Sequence, residues 1–474
     1  MSPENYYDEF LNEKGKPRST YTKFHSWFLQ QRKPSLKKRI AKVEEIFRTS
    51  GISFNLSDDV SEDERLIPFD VIPRIIAARD WEKIEIGIKQ RVQAINLFLK
   101  DIYSSQKILR DKIIPTELIL RNSSFLPQMI GIKIPNDIYA HISGIDIVRT
   151  GASNTYVLED NVRVPSGVSY MLENRETMMH LFPELFSVQK IKEINSYPVD
   201  LSECLLENSP LHTSKEPIVA LLTPGTFNSA YFEHAFLADQ MSAELVQAGD
   251  LILDGKKITM RTINGLKPID ILYRRVDDFF LDPLSFNQDS LLGIPGLMEV
   301  FREGGITIAN SPGTGVADDK AVYSFIPKII KYYLDQDPIL RNVRTFRCAV
   351  KNELDYVLCN INKLVIKEVH GSGGKGMLVG PAASKKETEE FKLKVLSYPE
   401  RYIAQPTLAL STCQIITNSG LSPRHIDLRP FALASKNKIK VTAGGLTRVA
   451  LKKGSLVVNS SQGGGTKDTW IVES

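Results

Sequence analysis

Apolar positions recur along this chain in two rhythms. Up to about residue 130 the rhythm is helical: Leu36, Ile40, Val43 and Phe47 fall at steps of three and four, and Ile88, Val92, Ile95, Leu99 and Ile102 do so more regularly, with charges between them. Each set makes one buried stripe, so residues 1–130 are expected to be mainly helical. Beyond that point short apolar runs take over. Residues 156–158 follow a small-residue turn and read as a buried strand, and 218–222 is a continuous apolar run, the mark of a strand covered on both faces. That run ends in T-P-G-T-F-N-S before a helical stretch over 230–246. Strands at 250–253, 258–261, 269–273 and 306–309, with a helix near 297–302, continue the alternation and predict a small doubly wound α/β domain over 216–312. Ahead of it, 131–215 holds an acidic hairpin and a helical connector. Behind it, 313–474 carries strands at 365–366, 377–379, 402–405 and 426–434.

Composition changes this picture little. The 474 residues are 42% hydrophobic and 24% charged, enough to bury cores for roughly three domains. A net charge of +4 with both signs interspersed gives no reason to expect nucleic acid or a membrane as partner. Cys204, Cys348, Cys359 and Cys413 lack C-x-x-C spacing, which predicts reduced thiols rather than disulfides or zinc. The first residues are acidic and no apolar run reaches the roughly 18 residues of a membrane span, so a soluble cytoplasmic protein is expected.

Candidate chemistry concentrates in the acidic hairpin. Strand alternation puts Glu159 and Asn161 on one face, with Asp146 on the strand before. Two carboxylates and an amide carbonyl are hard oxygen donors of the kind that hold Mg2+ beside a phosphate, although an acidic hairpin with an Asx turn has the same residues. The Pro-Ser-Gly turn at 165–167 adds backbone N–H groups and a hydroxyl for an anion. In the small domain a ligand is expected outside the strand C-termini, near Gly225, Asn228, Ser229 and residues 274–278. Glu233, in the first turn of the following helix, is either a substrate contact or a capping carboxylate. Lys320 opens a helical stretch, a strand delivers Lys367, and residues 370–376 (H-G-S-G-G-K-G) join two strands as a flap whose glycines let backbone approach phosphates. A strand rather than a helix follows, so the flap is not a P-loop. The strand 402–405 ends at Gln405 before Pro406, a hinge suited to pairing with adenine. Asp427 and Arg429, then Arg448, then Asn459 with three glycines follow.

A lysine before a glycine flap, an adenine hinge, D-x-R on a strand, a later arginine and N-x-x-x-G-G form the order found in ATP-grasp ligases. The element that comes next in that fold, an Asp strand with E-x-N and a small-residue turn, stands here ahead of the others, as I-D-I-V and V-L-E-D-N-V-R-V-P-S-G. With Y-R-R-V-D-D-F-F-L-D-P, G-T-G-V-A-D-D-K and K-E-V-H-G-S-G-G-K-G, the chain from about residue 80 resembles the circularly permuted ATP-grasp family related to glutathionylspermidine synthetase. The resemblance implies an α+β or α/β fold, a circularly permuted ATP-grasp with a helical N-terminal region and a small doubly wound pre-ATP-grasp-like domain, using ATP and Mg2+. It implies that Asp146, Glu159 and Asn161 hold two Mg2+ ions and that Lys320 and Lys367 bind the phosphates. Gly371, Ser372, Gly373, Gly374, Lys375 and Gly376 would cover those phosphates, with Gln405 near the adenine. Arg429 and Arg448 look like phosphate or intermediate ligands, and Ser166 and Ser169 match the small polar residues after the metal motif. Asn228, Glu233, Arg274 and Asp277 are the candidate substrate contacts.

Two departures matter. The synthetase has an arginine two residues before its metal Asp, where this chain has Gly144; Arg149 and Arg163 are the candidates to replace it. No cysteine amidase domain is expected ahead of the ligase part, so glutathione binding is not carried over. The activity implied is a carboxylate–amine ligase that joins a small-molecule or peptide carboxylate to an amine through an acyl phosphate, releasing ADP and phosphate. A phosphotransferase of the same fold and a non-catalytic nucleotide-binding module are the alternatives. The last predicts loss of the metal ligands, yet Asp146, Glu159 and Asn161 are all present.

Overall fold

The computed structural model describes residues 6–49, 51–54, 65–211, 216–371, 376–417, 420–436, 438–458 and 463–473. The helix Lys33–Thr49 buries Val43 and Phe47, and the long helix Ala78–Ile102 buries Trp81, Ile88, Val92, Ile95 and Leu99 along one stripe. Between them lies a strand, Phe69–Ala77, that the helical rhythm did not flag. An apolar run of this length, without alternation, is indistinguishable by period from a buried helix turn. The strand sits at a sheet edge, where Pro73 is tolerated because no outer neighbour needs its missing N–H.

One large sheet organises the molecule. Its path runs Arg341–Asn342, Thr155–Asn161, Ile142–Arg149, Gly420–Arg429, Leu446–Val449, Gly465–Val472, Phe69–Ala77. The acidic hairpin therefore lies beside strands from the far end of the chain: Leu428 faces Ile147 and Phe431 faces Gly144. The strand expected over 426–434 is cut at Pro430 into Gly420–Arg429 and Phe431–Ser435, since proline brings no N–H to the ladder.

The small domain has four parallel strands in the order Thr307–Ala309, Ile271–Arg274, Val219–Leu222, Glu244–Val246. The helix expected over 230–246 is shorter, Tyr231–Gln240; Ser242 turns the chain at φ 53° into the strand Glu244–Val246. Strands at Leu251–Asp254, Lys257–Thr262 and Gly265–Pro268 form a separate antiparallel sheet. A last antiparallel sheet, Phe346–Arg347, Tyr402–Pro406, Leu364–Glu368, Leu378–Val379, makes a lobe with its own core around Val357, Ile366 and Val395. All four cysteines are free thiols, and among the described residues no helix is long and apolar enough to cross a membrane.

Candidate active site between the large sheet and the antiparallel lobe

A cleft of about 1050 Å3, its solvent-open mouth included, is lined by residues of both sheets. Its lining is of two kinds. Val343, Val365, Val379, Leu408, Val457 and Val458 make an apolar slot, and Asp146, Glu159, Lys320, Lys367, Asp427 and Arg448 bring charge.

The hairpin is shaped by its register. Asp146 faces Glu159 and Gly144 faces Asn161, but Ile147 faces Val157, leaving Leu158 as an extra residue. That bulge re-aims the strand, so Leu158 and Glu159 both line the cleft. Asp160 points the other way, where Arg91 of the long helix pins it with Nη2 2.7 Å from Oδ2.

The two hairpin carboxylates differ in kind. Asp146 is fully buried, with Oδ2 2.8 Å from Arg429 Nη2 and 2.7 Å from Arg448 Nη2. Burial alone would raise its pKa, but the two guanidiniums outweigh it and hold the carboxyl well below the usual range. Arg448 is also 2.9 Å from Asp427 through Nε. Glu159 is partly exposed and only loosely paired, 3.9 Å from both Lys320 Nζ and Arg429 Nη2. The Asn161 side-chain nitrogen is buried without a hydrogen-bond partner among the described residues.

Lys367 has no hydrogen bond or ion pair with any described residue, and burial pushes its ammonium pKa down, against the pull of Glu159. Lys320 donates to the Gly371 carbonyl at the root of the flap. Gln405 is buried on the strand that pairs with Lys367's strand, and its Nε2 donates to Thr345 Oγ1 at 3.1 Å. Gly376 closes the flap at φ 67°. Ser372, Gly373, Gly374 and Lys375, with Asn459, lie outside the described residues.

Neither candidate replacement for the arginine missing at position 144 reaches the cleft. Arg149 points to the opposite face and binds Glu9, Asp80 and the Ala152 carbonyl. Arg163 pairs with Asp277 at 2.8 Å, against the small domain. The space over Gly144 is filled by Arg429: a Cβ there would lie 3.2 Å from Arg429 Cδ and 3.3 Å from Pro165 Cβ.

Several candidate substrate contacts are committed elsewhere. Glu233 is fully buried; its Oε2 accepts from Gly167 N (2.7 Å), Ser169 N (3.1 Å) and Ser169 Oγ (3.1 Å), and its Oε1 from Arg275 Nη2 (3.0 Å). It therefore caps the helix Val168–Leu181 and fills the turn whose N–H groups were expected to be open, which also occupies Ser169. Arg274 is buried, donating to the carbonyls of Asn310 and Val276 and pairing with Asp278. Asn228 accepts from Ala230 N at 2.9 Å and shapes the entry to its helix. Ser166 stays partly open, with its carbonyl 3.2 Å from Arg429 Nη1. Arg275, inside the span 274–278, Asp318, inside G-T-G-V-A-D-D-K, and Asp427 all appear in the sequence analysis without a role of their own. The signals for these were the doubled arginine at 274–275, the doubled aspartate at 318–319 and the D-x-R spacing at 427–429.

Comparison with known proteins fits this geometry. The circularly permuted ATP-grasp type 2 family matches residues 73–450. An uncharacterized protein of Synechocystis sp. is 47% identical over 471 residues, 99% of this chain and 98% of that protein. A Frankia alni protein named "Putative glutamate–cysteine ligase 2-3" is 38% identical over 98% of this chain, which spans 54% of that longer relative. In fold, the chain is similar to a glutathione synthetase-like effector of Globodera pallida, with TM-score 0.61 at 10% identity, covering 94% of this chain and 98% of that one. With most of its length matched, and relatives aligned nearly end to end, the chain belongs to the circularly permuted ATP-grasp type 2 family and is an ATP-dependent ligase of that fold.

Proposed function

We propose that the protein joins a carboxylate to an amine through an acyl phosphate. The observation that carries this reading is the meeting, in one cleft, of two lysines and a loosely paired glutamate with an apolar slot closed by Gln405. Lys367, a cation without a hydrogen bond or ion pair among the described residues, suits a phosphate, and Lys320 can leave the Gly371 carbonyl for another. The apolar slot suits the adenine. Glu159, partly open, and the amide oxygen of Asn161 are of the kind that fit Mg2+, while Asn161 Nδ2–H, buried without a partner among the described residues, suits an acceptor such as a phosphate oxygen; Asp146 holds Arg429 and Arg448 in place rather than offering a free face. Bound there, Mg2+ would supply charge neutralisation for the phosphates.

The chemistry needs no side-chain nucleophile. A substrate carboxylate oxygen attacks the γ-phosphorus and ADP leaves; an amine nitrogen then attacks the acyl carbon, losing a proton as phosphate departs. The protein's share is positioning and electrostatics, with Lys320, Lys367 and Arg448 around the oxygens that gain charge. The test is to incubate the enzyme with ATP, Mg2+ and hydroxylamine against the L-amino acids, dipeptides and simple carboxylic acids. ADP release with hydroxamate formation is expected. A stable phosphoester in place of hydroxamate, or no turnover with any acid, would overturn the reading.

A further inference from the structure

Gln405 is a polar side chain built into the wall of the apolar slot. In the antiparallel lobe Val365 faces both Gln405 and Val379, so the three side chains share one face of that sheet, and all three line the cleft. Lys367, two residues on from Val365, lies on the same face. Only 3% of Gln405 is exposed. A buried amide needs a partner for its NH2 and another for its oxygen.

The NH2 end is committed. Gln405 Nε2 donates to Thr345 Oγ1 at 3.1 Å, and Thr345 Oγ1 stands 3.0 Å from the Val343 carbonyl. A carbonyl oxygen can only accept, so the single hydroxyl proton of Thr345 goes to Val343. Toward Gln405 the hydroxyl therefore offers lone pairs alone. Either orientation of the amide fills the same space, but only the one with NH2 toward Thr345 makes a hydrogen bond. The backbone at Val343 is held as well: its N–H donates to the Tyr323 hydroxyl at 2.8 Å, which donates in turn to the Val157 carbonyl of the acidic hairpin. The oxygen end is free. Among the described residues nothing donates to Gln405 Oε1, and the atom is not sealed in. Since Gln405 lines the cleft, the slot is where that oxygen meets a donor.

We propose that Thr345 is a positioning residue that selects the nucleobase, by locking the Gln405 amide so that the slot is offered an oxygen that only accepts. The inference rests on the adenine reading of the slot. The 6-amino group of adenine donates to such an oxygen. Guanine and hypoxanthine bring a 6-oxo oxygen instead, and two acceptors meeting in a buried site have no proton to share. A glutamine alone would not discriminate, because its amide can turn over to present either end; the threonine removes that choice.

Calorimetric titration of the full chain, in Mg2+, with ATP or with inosine triphosphate, whose base carries a 6-oxo oxygen and a proton on N1, reads the selection without turnover. Wild type should bind ATP about 100-fold more tightly or better. In Thr345→Val, and in Thr345→Ala as a second variant, the amide is released and the preference should shrink about tenfold. Thr345→Ser keeps the hydroxyl and should keep the wild-type ratio. Gln405→Leu should shrink the preference as Thr345→Val does, and adding Thr345→Val to it should change nothing further, because the threonine acts through the amide alone. Equal binding of the two nucleotides by wild type would overturn the proposal. So would an unchanged ratio in the valine and alanine variants, which would put the selection in the backbone. Binding of neither nucleotide would sink the adenine reading itself, and the proposal with it.

Discussion

At the scale of single residues, Lys367 offers the sharpest contrast between stability and function. Its ammonium is disfavoured by burial, so its folded pKa lies below the unfolded value. The destabilisation is fully present below the folded pKa and is relieved as pH rises through it. Lys367→Met should therefore raise the Tm of the nucleotide-free protein at neutral pH while weakening ATP by about 1.5–3 kcal/mol, the scale of a charge-assisted hydrogen bond. Calorimetric titration showing unchanged ATP affinity would make the lysine structural. Glu159→Gln keeps shape but lowers charge where the proposed reaction transfers phosphate, so turnover should fall roughly 100-fold or more, with ATP binding less affected. Steady-state ADP release set beside nucleotide titration separates the two effects.

At the scale of elements, the helix Val168–Leu181 and the small domain are joined by one buried carboxylate. Glu233→Ala would strand the Arg275 charge and the N–H groups of Gly167 and Ser169, and should destabilise by about 3–5 kcal/mol in urea denaturation. Glu233→Gln, which still accepts from the turn, should lose much less. A small effect for the alanine variant would mean that water replaces the carboxylate there. Period-two alternation separates Glu159 from Asp160, which do point oppositely, but it did not foresee the bulge that brings Leu158 into the cleft beside Glu159. The role of Glu233 was not legible in sequence: a carboxylate in a first helical turn looks the same whether it caps its own helix, meets a ligand or, as here, caps another helix 64 residues away. Arg429 over Gly144 was hidden for a similar reason, because the notch exists only after Phe431 pairs with Gly144. Gly144→Ala should press on Arg429 and Pro165 and reduce turnover with little change in Tm, measured side by side.

At the scale of the molecule, residues near the N-terminus are wired into the large sheet. Glu9 is buried against Arg74 (Nε to Oε2, 2.9 Å), Arg149 (3.6 Å) and Ser411 (2.6 Å). Burial works to raise its pKa, but the arginines prevail and hold it at about 2. A depressed pKa contributes stability that is present above the unfolded value, about 4.3, and is lost as pH falls through about 2. Glu9→Gln should lower Tm at neutral pH and flatten its decline across that acid window; parallel Tm profiles for the two proteins would rule this linkage out. Three of the four parallel strands of the small sheet were visible in apolar rhythm, whereas Glu244–Val246 was expected to be helix, and the edge strand Phe69–Ala77 was not seen because its partner Gly465–Val472 lies almost four hundred residues on. The permuted order also sets a timetable. Asp146 leaves the ribosome 302 residues before Arg448, a delay of about 15–60 s at ordinary elongation rates. Through that interval the nascent chain holds the acidic hairpin without its arginines and the large sheet without the strands that carry them, and stays open to chaperones until those strands are made.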